Sequence, residues 1–360
     1  MQYGQNILSN YINGRKVYKR SFKKIDGRNL SLYGYKRHDE NPLKEDNFEQ
    51  TKAGELRWHP LRREHVIYTP NRQNRIFKPS ITSDPLNPSV KGKKPTEIPF
   101  ENFELAIFDN KFSSLYSDAP LPSQLSGINT SRAKGHCDVV VYGPESTGNL
   151  YSIGQSKRRL LIEAWIDRYE SLYNDGYKFV LPFENRGDAV GATLSHPHGQ
   201  IYAFPFIPRV QNDALKSFNN GYDLSDYIQT NKSEFGVTES DGIEAFCPSF
   251  SRFPYEVWLA PKVRREGLWD LKDIEKEGFA FLLGDITRRY DLLFNEPMAY
   301  MLSLHSAPLG ESGNWHFTAQ FYPIMRAKGK IKYLAAVEQS SGTFTVDVMP
   351  EVSSKVLRKL

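Results

Sequence analysis

A chain of 360 residues is long enough for one large domain or two modest ones, and its hydrophobic fraction of 39% and charged fraction of 25% are typical of globular proteins. No apolar run approaches the roughly 18 residues of a membrane span, and the net charge of +5 is small for this length. The composition argues against a membrane protein, and the lack of a recognised module argues against a nucleic-acid-binding protein.

The start of the chain and the cysteines indicate the compartment. The first ten residues lack the charged start and the apolar stretch of a secretory signal. Cys137 and Cys247 are too few for a disulfide scaffold, and we expect both to be buried thiols. The sequence therefore predicts a cytoplasmic protein that binds neither membranes nor nucleic acids.

Residues 1–54 are predominantly polar, with a weak hairpin-like pattern around Asp26-Gly27. We interpret this segment as a solvated N-terminal extension, with contact to a polyanion as the alternative, and we expect compact folding to begin at about Leu56. Much of the basic excess lies in this segment, at Arg15, Lys16, Lys19, Arg20, Lys23 and Lys24.

Hydrophobic patterns in residues 55–208 predict five strands and one helix. The helix spans 155–173, where apolar side chains recur at helical spacing, and Gly176 lies just past its end. Residues 79–99 contain five prolines and are predicted to form a loop. The predicted strands are 65–68, 105–108, 138–142, 177–184 and 201–204.

Residues 209–360 repeat this organisation. A helix predicted at 271–294 follows a strand at 256–259 and precedes two further strands, at 299–304 and 317–322. Each half thus has the order strand, helix, strand, strand, although sequence identity between the halves is faint. We therefore expect a duplicated fold of the α+β class.

The motif His196-Pro197-His198-Gly199-Gln200 carries most of the chemical information. Residues two apart on a strand point to the same face, so the two histidines and the glutamine would lie side by side. A neutral imidazole is a good nucleophile towards phosphorus, and a glutamine amide beside it can donate hydrogen bonds to a phosphate oxygen. The bare histidine pair leaves two alternatives open: a pair of metal ligands, or ordinary polar residues on a half-buried strand.

The segment 183–204, FENRGDAVGATLSHPHGQIYAF, closely resembles the galactose-1-phosphate uridylyltransferase family, a branch of the histidine-triad superfamily. The resemblance extends through 55–70, 96–115 and 315–338, and Asp26-Gly27-Arg28 resembles the start of the actinobacterial-type members. It implies a duplicated histidine-triad-like α+β fold, whose mixed or antiparallel half-barrel sheet has helices packed on one side. We divide the chain into an N-terminal extension (1–54), a half with the catalytic motif (55–208) and a half with a hexose-binding loop (209–360).

The resemblance implies a ping-pong reaction through a covalent uridylyl-histidine. UDP-glucose would uridylylate the enzyme and release glucose 1-phosphate, and galactose 1-phosphate would then take the uridylyl group. His198 matches the family nucleophile, and Gln200 matches the glutamine that contacts the transferred phosphoryl group.

The resemblance also assigns binding residues. Those around the uridine and the phosphates are Arg72, Arg75, Asn110, Phe112, Asn185, Gly191 and Thr193. Those that contact the hexose are Lys332, Tyr333 and Glu338. Family members are dimers whose active sites draw on both subunits, so a homodimer is implied here.

The sequence departs from the family at its metal sites. The positions of the four structural zinc ligands hold Asp84, Asn87, Ser146 and His196. Because this is a poor tetrahedral donor set, we predict no zinc. At the second metal site of some members the corresponding pair is Thr318 and Gln320, so we predict no second metal and no cofactor. His305 and His316 are expected to be structural or peripheral.

Two other functions compete with this assignment. A nucleotide-sugar phosphorylase would use the same nucleophile with inorganic phosphate, but such enzymes often carry serine in place of the motif glutamine, so Gln200 favours a hexose 1-phosphate acceptor. Loss of the metal ligands suggests a second alternative, a binding protein that retains the fold without turnover.

Overall fold

The computed structural model describes residues 5–12, 14–45, 48, 52–70, 84–311 and 313–360. The strands of the first half are β1 (Gln5–Ile12), β2 (Arg15–Lys23), β3 (Asn29–Gly34), β4 (Glu55–His59), β5 (Glu64–Tyr68), β6 (Leu105–Asp109), β7 (Thr130–Arg132), β8 (His136–Val141), β9 (Phe179–Arg186) and β10 (His198–Phe204). Those of the second half are β11 (Gly236–Ser240), β12 (Ile243–Phe246), β13 (Val257–Pro261), β14 (Tyr300–His305), β15 (Thr318–Pro323), β16 (Met325–Ala327) and β17 (Lys330–Ile331). The helices are α1 (Gly154–Asn174), α2 (Arg209–Asn219), α3 (Leu224–Phe235), α4 (Asp273–Leu293), α5 (Ala336–Ser341) and α6 (Pro350–Arg358).

Within the described ranges, twelve strands form one open antiparallel sheet in the order β1-β2-β3-β6-β8-β10-β9-β14-β15-β13-β12-β11. A small three-stranded sheet, β5-β4-β7, and the pair β16–β17 lie apart from it. The large sheet together with its helices confirms the α+β prediction. None of the helices in the described part of the chain combines the length and apolar character needed to cross a membrane.

The two halves of the sheet have matching topology. The unit β8-α1-β9-β10 of the first half corresponds to β13-α4-β14-β15 of the second, and the sheet orders β8-β10-β9 and β13-β15-β14 are equivalent. The units meet where β9 pairs with β14, with Glu184 opposite Leu302. This arrangement supports the duplication that the repeated element order predicts.

The two long helices pack against each other on one face of the sheet, as predicted. The buried face of α1 includes Leu161, Trp165 and Leu172, which recur at helical spacing and join one core with α4 and the sheet. Each such side chain contributes roughly 1.5–3 kcal/mol of burial free energy. Close approach of the helices requires Gly284, because a Cβ there would strike the guanidinium of Arg158.

The N-terminal residues belong to the main sheet. The pattern around Asp26-Gly27 forms the turn of the β2–β3 hairpin, and β3 pairs with β6. Leu30 and Leu32 of β3 are buried in a core cluster. The prediction that compact folding begins at Leu56 is therefore wrong, whereas the limits of the three regions stay predictions.

Three of the six basic residues of this segment, Lys19, Arg20 and Lys24, contact other parts of the chain, whereas Arg15, Lys16 and Lys23 are exposed. Arg20 donates hydrogen bonds to the carbonyls of His38 and Glu40, at 2.6 and 2.7 Å, and is buried. Lys24, also buried, pairs with Glu97 at 3.2 Å. The interpretation as a solvated arm is therefore wrong for the cations that make these contacts, and it fits only the exposed ones.

Candidate active site

The catalytic motif straddles the start of β10. Gly199 is buried on the helix-covered face of the sheet, whereas His198 and Gln200 are half-buried on the opposite face. His196 precedes the strand and is buried on its own. The expectation that His196 lies side by side with His198 and Gln200 is therefore wrong, because the alternation of β10 begins only at His198.

The imidazole of His198 has a defined tautomer. Its Nδ1 lies 2.7 Å from the carbonyl oxygen of His196. Because a carbonyl can only accept a hydrogen bond, Nδ1 carries the proton and the lone pair of the neutral ring lies on Nε2. The backbone of the motif therefore orients the imidazole of His198, the predicted nucleophile.

The amide of Gln200 is oriented by Asn110. The Oδ1 atom of Asn110 accepts a hydrogen bond from the backbone N–H of Phe112 at 2.9 Å, so its Nδ2 atom faces Gln200. That Nδ2 donates to Oε1 of Gln200 at 3.4 Å. Gln200 therefore uses its oxygen towards Asn110 and keeps its amide hydrogens as donors, the role that a phosphate oxygen requires.

The remaining predicted phosphate-contacting residues lie on β9 and the loop after it. Asn185 is half-buried and lies two residues beyond Phe183, which pairs with Gln200, so that its side chain shares the face of His198. Gly191 has φ +78° and is exposed in a turn, and Thr193 is half-buried in the same loop. Arg72 and Arg75 lie outside the described residues.

Arg186, the last residue of β9, contacts helix α4. Arg186 binds Asp291 of α4 through two hydrogen bonds of 2.7 and 2.9 Å. Glu184–Arg186 is thus the end of strand β9 rather than a polar turn, and the guanidinium of Arg186 ties it to α4.

The residues of the predicted hexose-binding loop contact each other. Lys332 and Glu338 are both buried and form an ion pair of 3.1 Å, and Glu338 also accepts a hydrogen bond from the hydroxyl of Thr345 at 2.7 Å. Tyr333, by contrast, is 76% exposed. The pair shapes the loop, and contact of its residues with a sugar stays a prediction.

The residues at the family's zinc positions do not fit a zinc ion. His196 is buried with Nδ1 2.9 Å from a carboxylate oxygen of Asp84 and Nε2 2.8 Å from the carbonyl oxygen of Gly143. The carbonyl oxygen can only accept, so Nε2 carries a proton, and Nδ1 is already occupied by the carboxyl of Asp84, so neither ring nitrogen is left for a metal. The other carboxylate oxygen of Asp84 accepts a hydrogen bond from the backbone N–H of Leu86 at 2.9 Å.

The second family metal site is likewise a hydrogen-bond network. The amide of Gln320 donates to the hydroxyl of Thr318 at 2.9 Å. His305 contacts Ser303 at 2.8 Å, and burial, together with the charge of Arg252, lowers its pKa to about 4. His305 is therefore a neutral imidazole in a polar cluster.

Sequence reasoning missed a group of ionisable side chains on the helix side of the sheet. Asp109, His136 and Asp138 lie close enough together to hold a metal ion. Arg168 of α1, however, donates to Asp138 at 2.9 Å. Burial alone would lower the pKa of His136, but the adjacent Asp138 outweighs it and raises that pKa. The guanidinium of Arg168 thus already supplies positive charge beside the two acids.

A second missed group lies beneath the catalytic strand. The buried carboxyl of Glu184 accepts hydrogen bonds from the hydroxyls of Tyr142 and Tyr300, each at 2.9 Å. Burial raises the pKa of Glu184 to about 7. The signal in the sequence was an acidic residue in the middle of a predicted strand, but its partners lie far away along the chain.

Comparison with known proteins places the chain among transferases. Family models for the N-terminal and the C-terminal domains of galactose-1-phosphate uridyl transferase match residues 46–208 and 211–360. The galactose-1-phosphate uridylyltransferase of Thermotoga maritima is 34% identical over 317 residues, which cover 85% of this chain and 98% of the relative.

Solved structures agree with this in fold. A uridylyltransferase structure has a TM-score of 0.76 at 24% identity, covering 85% of this chain and 97% of its own. The ADP-glucose phosphorylase of Arabidopsis thaliana, solved with bound ADP-glucose, has a TM-score of 0.63 at 23% identity, covering 86% and 99%. Because the two family models together span most of the sequence and a full-length relative shares a third of its residues, the chain belongs to the galactose-1-phosphate uridyl transferase family.

Proposed function

We propose that this enzyme is a UDP-glucose:hexose-1-phosphate uridylyltransferase, which transfers UMP from UDP-glucose to galactose 1-phosphate. The observation that carries the proposal is the 2.7 Å hydrogen bond from Nδ1 of His198 to the carbonyl of His196, which directs the ring's lone pair to Nε2. The activity for which the Thermotoga maritima relative is named supports the choice of substrates.

The proposed reaction has two displacements at the same phosphorus atom. In the first, Nε2 of His198 forms a bond to the α-phosphorus of UDP-glucose, and the bond from that phosphorus to the leaving glucose 1-phosphate breaks. In the second, a phosphate oxygen of galactose 1-phosphate attacks, and the nitrogen–phosphorus bond breaks. The ring carries positive charge in the adduct, and its Nδ1–H, held by the carbonyl of His196, stabilises that charge throughout.

The proposed role of Gln200 is to stabilise the phosphorus centre as it becomes five-coordinate. Its amide hydrogens can donate to a non-bridging oxygen, and Asn110 keeps the amide from rotating. Asn185, Gly191 and Thr193 would complete the phosphate contacts, and Phe112 would lie beside the uridine. Removal of one such donor typically lowers the rate by about 10²–10³-fold.

A nucleotide-sugar phosphorylase is the second candidate. The similarity in fold to an ADP-glucose phosphorylase keeps it open, whereas a glutamine at position 200 favours a hexose 1-phosphate as acceptor. A panel that offers the uridylylated enzyme either galactose 1-phosphate or inorganic phosphate distinguishes the two.

The covalent step is tested with two labelled forms of UDP-glucose. Label in the uridylyl group is expected to remain on the denatured protein, whereas label in the glucose is expected to leave as glucose 1-phosphate. His198→Ala should take no label, and His59→Ala, which removes a histidine of the small sheet, should label like the wild type. A wild type that takes no uridylyl label, or equal labelling of His198→Ala, would contradict the mechanism.

We further propose a homodimer in which each active site is formed by both subunits. His198 would come from one subunit, and the hexose-binding loop with Lys332, Tyr333 and Glu338 would come from the other. If so, co-expressed His198→Ala and Tyr333→Ala chains form heterodimers with one intact site. Their activity should exceed the mean of the two parent variants. Additive activity, or a monomer in analytical ultracentrifugation, would rule out shared sites.

We propose that the enzyme works in the cytoplasm without zinc or any other cofactor, and that it binds neither membranes nor nucleic acids. Both cysteines are buried free thiols, which suits a reducing compartment. Elemental analysis of the purified protein tests the metal proposal, and stoichiometric zinc that is lost in His196→Ala would overturn it.

A further inference from the structure

We propose that the buried bridge Tyr142–Glu184–Tyr300 positions the nucleophile by setting the backbone of the catalytic strand from its helix-covered side. The proposal rests on the proposed function, because the reaction whose nucleophile is positioned is the uridylyl transfer. Glu184 is a positioning residue, since its carboxyl lies on the face of the sheet opposite to His198.

The bridge touches the motif at two points through Tyr142. The backbone N–H of Tyr142 donates to the carbonyl of Pro197 at 3.2 Å. Its hydroxyl lies against Gly199, where a Cβ would be only 2.6 Å from the hydroxyl oxygen. The residues on either side of His198 are therefore both held by one tyrosine, and only glycine at position 199 admits its hydroxyl.

Glu184 fixes that hydroxyl and joins the two halves of the enzyme. One carboxyl oxygen accepts from Tyr142 and the other from Tyr300 of β14, each at 2.9 Å. Glu184 itself lies at the β9–β14 junction, adjacent to Asn185. The position of β10 is thereby fixed relative to the second half, which carries the predicted hexose-binding loop.

The second half of the sheet provides an internal comparison. By strand register, the positions equivalent to Glu184, Tyr142, Gly199 and Tyr300 hold Leu304, Pro261, Ala319 and Val180. All four are buried and apolar. In the second half, where the strand carries no proposed nucleophile, the equivalent positions beneath it are therefore filled by hydrophobic side chains. A buried carboxyl with two hydroxyls costs more free energy to bury, and of these two equivalent layers it is found in the one beneath His198.

Ionisation of Glu184 gives the bridge a pH dependence. The charged and titratable groups that face it are Tyr142 after β8, Tyr300 of β14 and Arg186 of β9, which is itself paired with Asp291 of α4. The ionised carboxyl accepts from both tyrosines, whereas the neutral acid offers one acceptor fewer. The bridge should therefore loosen as pH falls below about 7, where burial sets the pKa of Glu184.

The experiment measures single-turnover uridylylation by labelled UDP-glucose in Glu184→Gln, Tyr142→Phe and Tyr33→Phe. Tyr33 is the matched control, because it is a buried tyrosine whose hydroxyl donates to the carboxylate of Asp167 at 2.7 Å, away from the motif. We expect Tyr142→Phe and Glu184→Gln to lower the rate at least 10-fold, with less than threefold change in KM, and Tyr33→Phe to keep the wild-type rate.

The pH profile provides a readout that general destabilisation would not move. The ratio of the wild-type rate to the Glu184→Gln rate should decrease as pH falls from 8 to 6, since only the wild type loses an acceptor. The inference is wrong if both bridge variants keep rates within twofold of Tyr33→Phe, or if that ratio is constant with pH. A wild type that takes no label would instead refute the proposed function. If Glu184→Gln does not fold, the rate of Tyr142→Phe decides alone.

Discussion

The contact that occupies the family's zinc position can be tested by a pair of substitutions at Asp84. In the wild type, one carboxylate oxygen binds Nδ1 of His196 and the other accepts the backbone N–H of Leu86, both at 2.9 Å. Asp84→Asn can keep both contacts, because the amide oxygen still accepts from Leu86 and the amide nitrogen donates to a neutral imidazole. Asp84→Ala removes both.

The structure sets the size of the difference. Asp84→Ala leaves the backbone N–H of Leu86 and one ring nitrogen of His196 without their partner in a buried site, at about 1–3 kcal/mol for each group. We expect a loss of about 3 kcal/mol for Asp84→Ala and less than about 1 kcal/mol for Asp84→Asn. With an unfolding entropy of roughly 2.1 cal/mol/K per residue, the larger loss lowers Tm by about 4 °C for a chain of 360 residues.

Thermal and denaturant unfolding followed by tryptophan fluorescence would measure both variants, each purified in the presence and absence of a chelator. Because the carbonyl of His196 orients His198, Asp84→Ala is also expected to lower the rate of uridylylation more than it changes KM. Equal destabilisation by the two variants would refute the reasoning, since it would mean that the charge of Asp84, or a metal bound to it, holds the loop.

Further predictions concern stability, packing and the sugar. The folded-state pKa of Glu184 is raised from 4.5 to about 7, so its protonation favours the folded state. As pH rises from 4.5 to 7, the free energy of unfolding of the wild type should therefore fall by up to about 3 kcal/mol relative to that of Glu184→Gln. Urea unfolding at each pH measures this difference. Gly199→Ala should lower kcat at least 10-fold, since its Cβ would lie 2.6 Å from the hydroxyl oxygen of Tyr142 and 2.9 Å from the carbonyl oxygen of Phe183, and an unchanged kcat would show that the close approach at this position is not needed. A chelator should leave Tm and activity unchanged. Lys332→Met should lower Tm, because the buried carboxylate of Glu338 would lose its cationic partner. An unchanged Tm would show that the ion pair contributes nothing to the stability of the fold.

Periodicity predicted the central strands and the long helices to within three residues. It succeeded because their apolar side chains pack on one continuous core, as in α1, where Leu161 and Trp165 recur at helical spacing. It failed in the first 54 residues, because β2 alternates charged residues with few apolar ones. What holds that segment is the pairing of Lys24 with Glu97 and of Arg20 with loop carbonyls, and contacts at such separations leave no local pattern.

The sequence proposed the residues of the candidate site but did not reveal their supports. The motif and its resemblance supplied His198 and Gln200, because their spacing in a short segment is specific. The supports depend on residues 42 to 116 positions away, such as Tyr142 and Tyr300 for Glu184. The burial of an acid is a property of the assembled sheet, and a single sequence cannot reveal it.

The difference between the two halves bears on the proposal that the nucleophile lies in the first. In the second half a glutamine, Gln320, occupies the position equivalent to Gln200, but its amide donates to Thr318, which stands where His198 would be. The second half keeps the buried imidazole, because His316, equivalent to His196, contacts the carbonyl oxygen of Pro261 at 2.8 Å. It lacks the bridge, because the side chain of Ala319 would exclude a hydroxyl from beneath the strand. On the proposed mechanism, the support that distinguishes the two halves is the bridge beneath His198, which apolar side chains replace in the second half.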